Sequence, residues 1–413
     1  MQRTRQLVQV GAMPGLIWST LAVGLILLGR WTPERLFDGG FAGPFWALKI
    51  AALLVLLLIP LASWLSGTPD RRTPMLWLFA ALMGYVMASY TWNPSPTPYA
   101  NAKLADLGYN AALVAVAAVG LTRPALRRWF LPAFLAALAA MAVIGLAALP
   151  SAMAAEGRLS VLGGGPNIFG RNMGLLLLIC LYAGINYPKV RILCFVLAGV
   201  ALAGLIASGS RGAIAATVVG VIMLMVLDRS CWRALTRRPL LVVGMVIAAG
   251  VPLLLSDISA LGEIGQERVV RQTLQGGYLS YRDILFQLAW DYWLRAPLLG
   301  NGLGSFSLVL HMNYSHNVLT ELLSETGLIG FAAFMLLVIG SSFLQMRSGS
   351  PERGLVVALL VLLFLAAQVS GDLVDTRLLF LFTIYPAAAY AGRRRRGAGA
   401  RGIVFSPAAR KGD

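Results

Sequence analysis

Apolar residues run along most of this chain without the regular polar interruptions that mark a water-facing side. A helix needs about 20 apolar residues to cross the hydrocarbon core of a bilayer. Runs of that kind predict spans at 13–29, 43–65, 74–92, 103–121, 129–150, 168–186, 191–208, 212–227, 239–256, 327–346, 354–371 and 376–391. The pattern predicts an all-α polytopic membrane protein with about twelve transmembrane helices. Arg3 and Arg5 before the first run resemble the start of a signal peptide, but no small-residue cleavage site leads into a soluble domain, so that run is expected to stay in the membrane. Spans nine and ten are separated by a loop far longer than a connector needs to be, and such loops usually carry function. The expected division is 1–256 for spans one to nine, 257–326 for the loop, 327–391 for spans ten to twelve and 392–413 for a tail.

Composition narrows the class. The sequence is 58% hydrophobic and only 12% charged, about half the charge a soluble surface carries, which excludes a cytosolic enzyme, a disordered chain and a disulfide-rich secreted fold. Lys and Arg outnumber Asp and Glu by 34 to 17. Nucleic acid would require that excess to form one continuous basic face. It is instead dealt out in packets between apolar runs, so no nucleic-acid partner is expected. About two thirds of the 34 basic residues fall on the side of the termini, among them Arg71 and Arg72, Arg127 and Arg128, Arg237 and Arg238, and Arg393 to Arg396. The loop 93–102 carries no charge. By the positive-inside rule both termini are then cytoplasmic and 257–326 lies on the opposite, outer face. The tail RRRRGAGARGIVFSPAARKGD reads as a topology anchor attracted to anionic lipid. Cys180, Cys194 and Cys231 have no framework or metal-ligand spacing.

Candidate chemistry gathers on the outer face. Within the loop, LSYRDILFQLAWDYWLR (279–295) sets Ile284, Leu285, Leu288 and Trp293 at helical spacing, which predicts an amphipathic helix on the membrane surface. A turn with Gly300, Gly302 and Gly304 follows, then HMNYSHN (311–317), which holds both histidines of the protein, and then VLTELLSETGLIG leads into span ten. Lys49, Arg171 and Arg211 stand at outer ends of spans two, six and eight. Lys49 could simply snorkel to the headgroups, and Arg171 could anchor its helix. Arg211 differs, because Gly209, Ser210 and Gly212 leave its guanidinium room and a helix N-terminus favours an anion. Arginine forks suit phosphate oxygens, and several from different elements suggest a diphosphate. No nucleotide loop or metal-binding motif stands in the outer loops, so neither cofactor nor metal is expected, and arginine would neutralise the leaving group. A histidine beside such a site can take a proton from a hydroxyl near neutral pH. His316 is the better placed, with His311 as second choice. Tyr281 and Trp293 could stack on sugars or sit in the interfacial aromatic belt, while Asn317 could orient His316 or cap the next helix.

Four motifs in order, SGSRGA (208–213), YRDILFQLAW (281–290), APLLGNGLGSF (296–306) and SHNVLTELLSETGLIG (315–330), resemble the bacterial O-antigen ligase/polymerase superfamily over about residues 160–345. The resemblance implies a GT-C-like membrane fold with its active site on the periplasmic face of the bacterial inner membrane. It implies diphosphate binding for Arg211 and Arg282, and activation of the acceptor hydroxyl by His316. The donor implied is undecaprenyl-diphosphate-linked O-polysaccharide and the acceptor lipid A–core oligosaccharide, in an inverting transfer free of metal and nucleotide. An O-antigen polymerase shares donor and face. A protein O-oligosaccharyltransferase usually carries a further C-terminal region, and a transporter would place charges near the midplane of several helices.

Overall fold

The structure, a computed structural model, describes residues 12–27, 42–65, 74–156, 158–161, 165–237, 282–309, 313–348 and 350–394. These form thirteen α-helices and four short 3-10 turns, with no strand among the described residues. In chain order the helices are α1 (Ala12–Leu27), α2 (Ala42–Leu65), α3 (Pro74–Ala88), α4 (Pro98–Leu121), α5 (Pro124–Glu156), α6 (Pro166–Asn186) and α7 (Arg191–Ala207). They continue as α8 (Arg211–Leu227), α9 (Arg229–Arg237), α10 (Arg282–Trp293), α11 (Val318–Arg347), α12 (Arg353–Ala367) and α13 (Arg377–Arg394). Eleven of the predicted spans each fall on one of these helices. The predicted span 239–256 lies outside the described residues, as do the loop up to residue 281, with Tyr281, and His311 and the tail from residue 395.

Among the described residues six segments are long and apolar enough to cross a bilayer: Pro74–Trp92, Pro98–Leu121, Leu126–Leu149, Pro166–Asn186, Pro188–Ala207 and Val318–Arg347. Four shorter apolar helices accompany them, at Met13–Leu27, Ala47–Leu58, Arg211–Leu227 and Arg353–Ala367. The bundle is a multi-pass membrane domain, since no water is available in hydrocarbon and the helix alone satisfies its own backbone groups. Side-chain burial sorts the helices. The span of α6 is 89% buried, as befits a helix apolar on every side at the centre of a bundle. Outward stripes at helical spacing, Val218, Ile222 and Val226 on α8 and Leu336, Ile339 and Phe343 on α11, are exposed and present hydrocarbon to lipid.

Close packing on α6 depends on its glycines. A Cβ on Gly170 would stand 2.6 Å from the Ser208 hydroxyl, and one on Gly174 would stand 2.2 Å from the Thr217 hydroxyl. The G-R-N-M-G sequence is therefore a small-xxx-small face that lets α7 and α8 approach α6 with Arg171 between its two glycines.

The described part of the 282–326 segment departs from a plain connector. The helix expected within 279–295 is α10, yet its buried line is Leu285, Ala289 and Tyr292, packed with Phe306, while Ile284 is exposed. VLTELLSET, expected to lead into span ten, is already helical, and the chain breaks at Gly327 (φ 64°) before continuing as the span. Gly300 (φ 72°) supplies the matching break: a Cβ on either glycine would lie within 2.5 Å of the other segment's backbone. Hydrogen bonds from Asn301 N to Ser324 O and from Gly302 N to Glu325 O fasten that contact. The glycine-rich turn thus supports the start of α11.

Candidate functional site

Three arginines converge on one cleft. It is lined by Arg158, Asn167, Arg171, the 209–213 segment with Arg211, Ala366 near the end of α12, and Val369, Ser370 and Asp375 from the α12–α13 connection. About 630 Å³ of non-protein space lies within it, partly open solvent. Two helices start there. Pro166 opens α6 behind Gly165, and Ser210 caps α8 by accepting a hydrogen bond from Ala213 N. Unpaired N–H groups of a first turn, together with the helix dipole, favour an anion.

A polar lattice holds the cleft's wall. Arg158 donates through Nε to Ser208 O (3.1 Å) and through Nη2 to Asn167 Oδ1 (3.3 Å). Asn167 Oδ1 also accepts from the Ser210 hydroxyl (2.9 Å), and its Nδ2 donates to Ser370 Oγ (2.9 Å). Arg171 is 6% exposed, and its Nη1 points at Asp375 O (3.5 Å). Three guanidinium groups against one lining carboxylate leave the cleft positive, which suits a ligand with several negative oxygens.

Asn317, the residue after His316, reaches the loop that lines this cleft. Asn317 Oδ1 accepts from Leu319 N (2.9 Å) and Thr320 N (3.1 Å), so its side chain caps α11, while its Nδ2 donates to Gln368 O (3.2 Å). Gln368 directly precedes the lining residues Val369 and Ser370. His316 is half-buried with Tyr314 at 4.4 Å between ring centroids. Its φ of 59° makes it the one non-glycine residue of positive φ among those described. That conformation is disfavoured for L-residues and gathers at functional sites. Arg282 is the first residue of α10, whose packing against α11 brings it to the same side of the bundle; its side chain lies outside the described part of the structure.

Lys49 does not join the cleft lining. It is buried with its ammonium 4.9 Å from the Tyr109 ring centroid, a cation–π contact with α4. Lys103, in the second turn of α4, carries no distinguishing signal in the sequence and is wholly buried. Its Nζ meets Glu321 Oε1 (2.5 Å) and both oxygens of Glu325 (2.8 and 2.7 Å). Glu321 and Glu325 are four residues apart, one helical turn, so both face α4; their partner, more than 200 residues away, has no local signal. Arg158 was the other omission, for its loop gives no hint that it closes against the start of α8. Among the described residues no three His, Cys, Asp or Glu side chains group as metal ligands.

The described residues thus set a cleft lined by three arginines at two helix N-termini inside a multi-pass bundle. Residues 193–335, about a third of the chain, match the family model described as O-Antigen ligase. That segment holds Arg211, Arg282, His316, Glu321 and Glu325, so the similarity to O-antigen ligases falls on the stretch that carries these residues. No curated protein matches the chain.

Proposed function

We propose that the protein is an O-antigen ligase of the bacterial inner membrane. In this reading it moves O-polysaccharide from undecaprenyl diphosphate to a sugar hydroxyl of lipid A–core, at a GT-C-like site on the periplasmic face, with both termini cytoplasmic. The observation that carries the reading is the convergence of Arg158, Arg171 and Arg211 with two helix N-termini on one cleft. The cleft takes the diphosphate, and Arg282 completes its charge from α10. The acceptor hydroxyl attacks the anomeric carbon and its proton passes to the His316 imidazole. The bond from that carbon to the diphosphate oxygen breaks with inversion, and the arginines hold the departing undecaprenyl diphosphate. The activated donor supplies the driving force, so neither nucleotide nor metal enters. Lys49, over Tyr109, supports α4 in this scheme, and Asn317 fixes the strap that carries His316.

A transporter reading would claim the buried Lys103–Glu321–Glu325 cluster. The cluster lies in the second turn of α4 and the first turns of α11, at helix ends and not at the midplane where a translocation path needs its charges.

The test is reconstitution of the purified protein with undecaprenyl-diphosphate-linked glycan and lipid A–core, in chelator and without nucleotide. Glycan should appear on lipid A–core, and His316→Ala should lower the rate by about 100-fold or more, as loss of a general base does. Arg211→Ala should abolish transfer. Longer glycans on the undecaprenyl carrier would make the protein a polymerase, and no transfer to either acceptor would sink both.

A further inference from the structure

Glu321 lines neither the arginine cleft nor the His316 segment, yet its side chain is bonded to elements that adjoin both. Glu321 Oε1 accepts from Lys103 Nζ and also from the backbone N–H of Leu373 (3.2 Å). Leu373 begins the 3-10 turn Leu373–Thr376, which contains the cleft-lining Asp375. The other end of the same loop, Gln368, receives Asn317 Nδ2. The first turn of α11 is therefore fastened to the 368–376 loop at two points, one on each side of Val369 and Ser370. Glu321 N in turn donates to Asn317 O (3.0 Å), so the strut joins the residue next to His316 through a single backbone bond. Asp372 secures the loop from below: its Oδ1 accepts from Asp375 N and its Oδ2 from the Tyr99 hydroxyl (2.8 Å). Tyr99 lies one turn before Lys103 on α4, so α4 braces both the loop and the strut.

A buried carboxylate is costly unless it is paired, and a hydrophobic residue would fill this position more cheaply. What the carboxylate supplies is direction. One oxygen is shared by two donors from two elements, α4 and the 373–376 turn, and the shared oxygen fixes their spacing. We propose that Glu321, held by Lys103, is a positioning residue that keeps His316 in register with the arginine cleft. This rests on the functional reading above. A misplacement of about 1 Å at a reacting group can cost about 100-fold in rate, so a strut of this kind acts on turnover more than on donor binding.

Glu321→Ala removes the strut yet leaves Lys103 paired with Glu325, so no buried charge is orphaned. Glu321→Gln presents the same oxygen to Lys103 and Leu373. In the reconstituted assay Glu321→Ala should lower kcat by about tenfold to a hundredfold with KM for the lipid-linked donor nearly unchanged, and Glu321→Gln should recover most of the rate. Hydrogen exchange in detergent supplies a readout that does not depend on transfer: peptides covering 313–326 and 366–376 should both exchange faster in the alanine variant and not in the glutamine variant. An unchanged kcat, or equal losses in the two variants, would overturn the proposal. So would exchange that rises in only one of the two segments. If the wild-type protein transfers nothing while both peptides loosen together, the strut stands as structure, and it is the functional reading that falls.

Discussion

Arg211 shows how much one side chain's setting can carry. Its neighbours Gly209, Ser210 and Gly212 marked it in the sequence, and the cleft places it at the start of α8 behind the Ser210 cap. If its task is to hold two oxygens at once, charge alone will not replace it. Arg211→Lys keeps the charge but loses the planar fork. The expected result is a loss of transfer of at least about tenfold, equivalent to about 1.4 kcal/mol of transition-state binding, read as kcat/KM for the lipid-linked donor. Activity equal to wild type would show that Arg211 acts only as a point charge. Arg211 and His316 could be singled out as candidates from the sequence because each stands in a short stretch of unusual neighbours. Lys103 and Glu321 were not, because neither means anything until α4 and α11 are packed. Lys49 could not be placed from the sequence for the same reason: a cation near a span end looks alike whether it faces a ligand or packs over an aromatic ring, and the structure sets it over Tyr109.

At the scale of elements, helix positions followed from apolar run length, because hydrocarbon enforces both the length and the helical form. Breaks and faces did not follow. Whether 318–326 is loop or helix is decided by the contact of Gly327 with the Gly300 turn, and the inward line of α10 is set by Phe306, a residue beyond its own end. The faces make opposite predictions for substitutions on α10. Phe286 and Trp290 are exposed and stack on one another at 6.4 Å, whereas Ala289 is 0% exposed. Phe286→Ala with Trp290→Ala should leave the Tm in detergent nearly unchanged. Ala289→Leu overpacks the contact with Phe306 and should cost about 1–3 kcal/mol, seen as a lowered Tm. On α6, Gly174→Val drives a side chain into Thr217 and should reduce the yield of folded protein more than either, because the helices there cannot separate without opening the bundle's centre.

Across the whole molecule, the cleft and the strap must share one side of the membrane, and the cysteines make that measurable. Cys180, Cys194 and Cys231 are free and buried. The Cys231 thiol, in the basic segment after α8, is pushed up to about 12 by burial and by Asp228 beside it. Thiolate is the reactive form, so the raised Cys231 thiol and the burial of Cys180 and Cys194 within α6 and α7 should keep the native protein largely silent to maleimide until it is denatured. Single cysteines placed on that background then report sides. Ser95, between α3 and α4, and Asp291, on α10, are exposed and belong to the face of the cleft; Lys189, between α6 and α7, is exposed at the opposite ends of the helices that bear Arg171 and Ser208. A membrane-impermeant maleimide applied to cells with a permeabilised outer membrane should label Ser95→Cys and Asp291→Cys, and should reach Lys189→Cys only after the inner membrane is opened. Labelling of Lys189→Cys from outside, with Ser95→Cys protected, would invert the bundle. It would put the arginine cleft in the cytoplasm, where a transfer completed on the periplasmic face could not take place, whatever the chemistry of the cleft.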